Sequence, residues 1–149
     1  MKKFMYEILD QINSTDSKNE KKRIMIENST PWFKDFLSYV FDPKYQFYVN
    51  KFPKEYKEPT DTAPGISFSD LQSELRRVYL FMKGNPTSDS LSEEKRNILL
   101  IQMLESFEPK EAKVFVNMLN KDLKTKGLTY NLVTEVFPGL LPEKNEQES

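Results

Sequence analysis

Along nearly the whole chain, apolar residues recur every three or four positions, in stripes bounded by capping residues, prolines and glycines. A period near 3.6 lines each stripe along one side of a helix; a half-buried strand would alternate every second residue instead. Phe4, Met5, Ile8, Leu9 and Ile12 form the first such face, in a helix expected over residues 2–13. Thr15 or Asp16 caps a second, strongly charged helix that reaches about Asn28 and turns apolar at Ile24, Met25 and Ile26. Thr30 followed by Pro31 is a cap with proline at the first helical position. It opens a helix carrying Trp32, Phe33, Phe36, Leu37, Val40 and Phe41, which Asp42-Pro43 interrupts.

Tyr45, Phe47, Tyr48, Val49 and Phe52 suggest a short helix ending at Pro53, and two prolines with a glycine make residues 54–66 a loop. Ser67 or Ser69 starts a helix through Leu71, Leu75, Val78, Tyr79 and Met82, broken at Gly84 and Pro86. Ser92, followed by Glu93 and Glu94, begins another, with Ile98, Leu99, Ile101, Met103, Leu104 and Phe107 as its apolar side. Pro109 and Glu111 open the next, in which Ala112, Phe115, Val116, Met118, Leu119 and Leu123 face inward, and a last helix covers residues 129–137. With no internal repeat, low-complexity block or convincing strand pair, the expectation is an all-α, multihelical single-domain bundle over residues 1–142, followed by an acidic flexible tail over 143–149.

Composition narrows the chemistry. At 149 residues, with 38% hydrophobic and 30% charged, the chain can bury one modest core under a well-solvated surface. No apolar run approaches the ~20 residues of a membrane span, and Glu7 and Asp10 break up any signal-peptide core. The chain has neither Cys nor His. A disulfide framework is therefore ruled out, a transition-metal site is disfavoured, and Ser or Cys hydrolase chemistry lacks its usual base. Gly65, Gly84, Gly127 and Gly139 are too scattered for a phosphate-cradling or dinucleotide loop. Glu93-Glu94 and Glu55 with Glu58 sit where carboxylates are ordinary, at a helix start and in a loop. The expectation is a non-enzymatic, cytoplasmic protein without cofactor, metal or membrane attachment.

Residues 121–143, KDLKTKGLTYNLVTEVFPGLLPE, carry the strongest functional signal. Asp122 and Leu123 are expected to close a helix, with Lys124 and Lys126 near its C-terminus. Gly127 can take the positive φ that ends a helix, and Thr129 can cap the next one, whose free N–H groups reach to Asn131. Such an arrangement can grip a phosphate backbone, and an ordinary helix–loop–helix joint with solvated lysines accounts for the same local features.

The order of residues adds to this. Asp122-Leu123, Gly127, then Val136-Phe137-Pro138-Gly139-Leu140-Leu141-Pro142-Glu143 closely resembles the end of the N-terminal DNA-binding domain of ATP-dependent DNA ligases, the T-even phage type above all. Tyr6-Glu7-Ile8-Leu9 through Ile12, the basic helix from Lys18 to Glu27, and Tyr45-Gln46-Phe47-Tyr48 to Lys51-Phe52-Pro53-Lys54 resemble that domain's opening, in the same order. Residues 59–107 match only loosely. The resemblance implies a DNA-binding fold of phage origin, hence the host cytoplasm, with roles in replication or repair. The ligase's adenylation motif, Lys-x-Asp-Gly, has no counterpart, since no Asp here precedes a Gly. Ligation chemistry is not expected of this chain.

A formal net charge of -1 and a pI near 5.7 argue against a dominant basic field. Binding to double-stranded DNA, nicked or intact, through its phosphate backbone and across the minor groove would rest on local patches: Lys18, Lys21, Lys22 and Arg23 early, and Lys121, Lys124, Lys126, Gly127, Thr129 and Asn131 late. Few phosphates can be neutralised, so such binding is expected to be weak, salt-sensitive and indifferent to sequence. The aromatic cluster Trp32, Phe33, Phe36, Tyr39, Phe41, Tyr45, Phe47 and Tyr48 could stack bases, but its spacing fits a helical core better; Tyr48, Lys51 and Lys54 could reach a phosphate from the surface. Gln72-Ser73-Glu74-Leu75 with Val78-Tyr79 approaches a sliding-clamp-binding peptide and reads better as the interior of an amphipathic helix. The alternative role is a protein-interaction module docking on a sliding clamp, on a host replication or defence protein, or on a separate ligase catalytic chain.

Overall fold

The computed structural model describes residues 4–49, 51–59 and 69–142. Among them run α1 (Met5–Asn13), α2 (Lys18–Glu27), α3 (Pro31–Phe41), α4 (Leu71–Glu74), a 3₁₀ helix (Leu75–Phe81), α5 (Pro86–Ser90), α6 (Glu93–Ser106), α7 (Pro109–Leu119) and α8 (Tyr130–Val136). The fold is all-α. The expected caps are used at three starts: Thr30 Oγ1 accepts from Phe33 N at 3.3 Å, Ser92 Oγ from Lys95 N at 3.0 Å, and Thr129 Oγ1 from Leu132 N at 3.2 Å. Ser17 caps α2, in place of the expected Thr15 or Asp16.

The centre of the domain is α7, which packs against α1, α3, α4 and α6. Its sequence explains this position: Ala112, Val114, Phe115, Val116, Met118 and Leu119 are all buried, so most of the helix circumference is apolar. Phe115 meets Phe81 edge-on, with centroids 6.3 Å apart, and Phe107 at 5.5 Å. Phe33, Phe36 and Leu37 from α3, with Met5, Ile8 and Ile12 from α1, close the core around it. Each fully buried side chain of this size contributes roughly 1.5–3 kcal/mol through the water it no longer contacts.

A carboxylate sits inside this core. Glu111 is fully buried, and its carboxylate accepts from Met5 N at 3.0 Å, Tyr6 N at 2.9 Å and Leu71 N at 3.2 Å. It thus satisfies free N–H groups at the starts of both α1 and α4 from the first turn of α7. Burial pushes its carboxyl above the ordinary glutamate range, and the three N–H bonds offset part of that rise.

Four expectations are corrected by the structure. Residues 45–49 are not helical: Phe47 pairs with Met82 as an isolated antiparallel bridge, with Tyr48 N to Phe81 O and Lys83 N to Gln46 O both 2.8 Å. The alternation of half-buried Tyr45, buried Phe47 and half-buried Val49 with exposed Gln46 and Tyr48 is a period of two, which extended backbone satisfies. The helix expected through Met82 is a single α turn that tightens into the 3₁₀ segment, because Leu75, Val78 and Phe81 are all buried at a spacing of three. In α6 the buried side is Arg96, Leu100, Met103 and Leu104, leaving Ile98 42% exposed. Arg96 sets that rotation: its Nη2 donates to Ser88 O at 2.6 Å and Leu91 O at 3.0 Å, and its guanidinium lies 3.9 Å from the Tyr48 ring centroid. Finally, α7 stops at Leu119 rather than Leu123.

Candidate nucleic-acid interface

The end of α7 shapes everything that follows. Lys121 N–H donates to Met118 O and Asp122 N–H to Asn117 O, both at 3.0 Å. These are the paired bonds of a Schellman ending, and the left-handed position that glycine usually fills is taken by Lys121, at φ 61. Its ammonium compensates for the strain. Lys121 Nζ donates to three backbone oxygens, Tyr39 O at 3.0 Å, Asp42 O at 2.8 Å and Tyr45 O at 2.7 Å, and so closes the C-terminal end of α3. Burial holds its pKa below the ordinary lysine value, and Asp42 pulls it partly back. Lys121 therefore belongs to the scaffold and leaves the basic patch to which the sequence assigned it.

Lys124 also has a positive φ, 54, and its N–H donates to Asp122 Oδ1 at 3.1 Å in a tight turn. The loop is pinned on both sides of it by the buried Leu123 and Leu128. Lys126 N–H donates to Asn13 Oδ1 at 3.0 Å. The Lys124 ammonium is exposed and has no carboxylate partner among the described residues. Lys126 Nζ meets Asp16 at 3.3 Å, an exposed pair of the kind that contributes little and exchanges readily.

The early patch is rearranged more thoroughly. Lys21 is 5% exposed, and its Nζ donates to Ile12 O at 2.7 Å and Lys126 O at 3.0 Å, tying the end of α1 to the loop. A buried ammonium committed to two carbonyls cannot present itself to a phosphate, so Lys21 is removed from the candidate site. Gly127 does take a positive φ, 79, but in a turn past the helix end, where the Lys21 stem fills the space beside it. Lys22 Nζ pairs with Glu135 at 2.9 Å and Lys18 Nζ with the same carboxylate at 3.1 Å, which holds that carboxyl below its usual range. Arg23 is bracketed by Glu20 and Glu27. Three cations facing three carboxylates present no net charge at a Debye length of about 8 Å.

Thr129 spends its hydroxyl on capping α8 and remains exposed, as does Asn131. The proline-bounded exit is packed down: Phe137 meets Phe33 edge-on at 6.3 Å, the Tyr130 hydroxyl bonds Pro142 O, and Leu141 is buried. Residues 143–149, the expected acidic tail, lie outside the described residues. Of the residues assigned to DNA contact, the structure thus brings Lys124, Lys126, Gly127, Thr129 and Asn131 onto one exposed loop and helix start, while Lys22 and Arg23 stand paired on α2. A hollow of about 360 Å³ lies against this loop, lined by Asn13, Phe41 and residues 121–126 with Leu128.

The aromatic cluster is mostly core, as its spacing indicated: Phe33, Phe36 and Phe47 are buried and Tyr39 packs edge-on against Tyr45 and Phe47. Tyr48, 40% exposed, and Phe52, 36% exposed, line a cleft of about 940 Å³ against α6, with Lys51, Lys54, Glu93 and Glu94 on its walls. In the clamp-like stretch, Leu75 and Val78 are core residues and Tyr79 is at the surface. No helix among the described residues is long and apolar enough to cross a membrane.

The arrangement of helices around α7 is similar in fold to two solved chains with ligase-related names. A solved chain titled Pmar-Lig_Pre superposes with a TM-score of 0.69 at 21% identity, over 91% of this chain and 29% of its own. A second, Pmar-Lig_PreS3, gives 0.68 at 21% identity with the same coverage. This chain spans less than a third of the length of the ligase-named chains it matches. The sequence model of a family of unknown function (DUF6433) matches residues 8–125, and the chain belongs to that family. No curated protein matches the sequence. The family match includes Lys124 and ends before Thr129 and Asn131.

Proposed function

We propose that this domain binds double-stranded DNA without sequence preference and without catalysis, through phosphate contacts made by the loop from Lys124 to Asn131. The observation that carries the reading is Lys124: an exposed ammonium, unpaired among the described residues, on a loop fixed by Lys21, Lys121, Leu123 and Leu128. Because the loop backbone is already held in place, only the Lys124 side chain has to be ordered when it meets a phosphate. The likeness in fold to ligase-named chains and the resemblance of the 136–143 motif support the same reading. Phosphate contacts position a protein and carry little sequence information, so nicked and intact duplexes of any sequence should bind comparably at the level of these residues.

The test is fluorescence anisotropy with a labelled nicked duplex at two salt concentrations. Affinity that falls with salt, survives a change of sequence and drops in Lys124→Glu supports the proposal; a folded Lys124→Glu/Lys126→Glu protein that binds as well as the parent rejects the loop. A second reading, docking on a protein partner such as a sliding clamp, a host protein or a separate catalytic chain, is favoured by the large cleft with exposed Tyr48 and Phe52. Association through that cleft would change little with salt.

A further inference from the structure

Lys124 borders two hollows. Besides the one already described, a groove of about 320 Å³ runs between α1 and α7, and Lys110, Lys113 and Lys124 stand along it with Asn13 and Asn117. We propose that this groove, rather than the α2 patch, is the main track for a nucleic-acid phosphate backbone; the inference rests on the duplex-binding reading above and extends it to residues on α7.

Charge is the first argument. Lys110, Lys113 and Lys124 are exposed and have no carboxylate partner among the described residues, and Asp10 is the one acidic residue in the groove lining. Glu7 and Glu108 stand near Tyr6 at the Lys110 end, so the positive surplus of the groove lies toward Lys113 and Lys124, whereas Lys18, Lys22 and Arg23 on α2 face an equal number of carboxylates, Glu20, Glu27 and Glu135. A surplus in a concave surface attracts a polyanion; a balanced patch does not.

Spacing is the second. Lys110, Lys113 and Asn117 follow each other at three and four residues along the solvent side of α7, the helix whose other faces are core. From 110 to 117 the helix rises about 10 Å, and over that length one DNA strand advances by about three phosphates. Asn13 and Asn117 add neutral donors that fit phosphate oxygens without sequence information.

The groove also has a direction. Lys110 Nζ lies 5.6 Å over the Tyr6 ring, and the Tyr6 phenol is pushed up first by burial and then by the nearby Glu108, Glu7, Glu111 and Asp10. That end is acidic and limits how far a strand can run. The open end is at Lys113 and Lys124, where the groove meets the loop.

The experiment compares the full chain with Lys110→Glu/Lys113→Glu and with Lys124→Glu, all binding a labelled nicked duplex across a salt series, with circular dichroism confirming each fold. The milder Lys110→Gln/Lys113→Gln protein replaces the first if charge reversal unfolds it. The groove predicts a loss of about tenfold or more at low salt for the α7 double variant, and a log–log salt slope shallower by about one per lysine removed. An α7 variant that binds like the parent while Lys124→Glu fails would overturn the groove and leave the loop reading standing. Absence of duplex binding by the parent at low salt would overturn both. Displacement of the duplex by polyglutamate at equal charge would reassign the groove to an acidic protein and equally overturn the proposal.

Discussion

Lys21 occupies the space beside Gly127: a Cβ built on Gly127 would stand 2.8 Å from Lys21 Cε and 3.2 Å from its Cδ. The glycine's φ of +79 adds a second reason for its identity, since other residues adopt that conformation only with strain. Gly127→Ala should therefore destabilise the domain by about 2 kcal/mol, part from the backbone and part from displacing the Lys21 stem. Urea unfolding of a double-mutant cycle separates the two. In a Lys21→Ala background the clash is gone, and the cost of Gly127→Ala should fall to the backbone share, about 1 kcal/mol. An equal cost in both backgrounds would show that the contact is irrelevant.

Lys121 gives the opposite case, a lysine where glycine is the usual choice. At φ 61, Lys121→Gly would relieve roughly 1 kcal/mol of backbone strain if conformation were all that mattered. The ammonium, however, donates to Tyr39 O, Asp42 O and Tyr45 O, and its loss leaves the end of α3 short of donors. Charged hydrogen bonds of this kind outweigh the relief, so Lys121→Gly should lose about 2 kcal/mol net. A stabilised Lys121→Gly protein in thermal or urea unfolding would remove the clamp from the account.

Glu111 makes stability depend on pH in a sense unusual for a carboxylate. Its folded-state pKa is raised above the ordinary value near 4.5, so the native state binds its proton more tightly than the unfolded chain does. Stability from this group is full below 4.5 and declines as pH rises through the folded value. Glu111→Gln does not titrate, and its amide would set an N–H donor against a backbone N–H; it should be less stable by about 2 kcal/mol or more. Its deficit against the parent should be largest at low pH and narrow as pH rises above 4.5. A deficit that widens with pH would mean that the carboxylate is held by its N–H partners below the ordinary value.

Helix starts were the most legible part of the structure in the sequence. Thr30-Pro31, Ser92-Glu93 and Thr129 each announce a cap by chemistry that is local, and each begins a helix at that place. What depends on distant residues was not legible. Ile98 belongs to an apolar pattern, yet Arg96 fastens α6 in a rotation that exposes it. Tyr45 to Phe52 looks helical by content, and only the partner segment at Met82 reveals its alternation as extended pairing. The site followed the same rule. Lys18 to Arg23 is a basic run in one dimension, but Glu135, more than a hundred positions later, pairs with and partly neutralises two of its cations, and Lys21 turns inward to the loop. Glu111 gave no signal beyond an ordinary acidic first turn, because its partners, Met5, Tyr6 and Leu71, lie 40 to 106 positions away.

That neutralisation is reversible in principle, which yields a prediction specific to the proposed function. Glu135 bridges Lys18 and Lys22 across the α2–α8 contact, and Glu135→Gln would release both cations while keeping the side chain's shape. The pairs are at the surface, so the fold should hardly notice. Duplex affinity at low salt should rise by about threefold or more, and the log–log salt slope should steepen by up to two contacts, if α2 lies within reach of a backbone that follows the Lys124 loop. Unchanged affinity and slope, with Lys124→Glu still defective, would place α2 outside the footprint and confine phosphate contact to the α7 side. The two outcomes divide the surface because the released charges are on α2 and Lys113 is on α7, separate helices that both pack against α1.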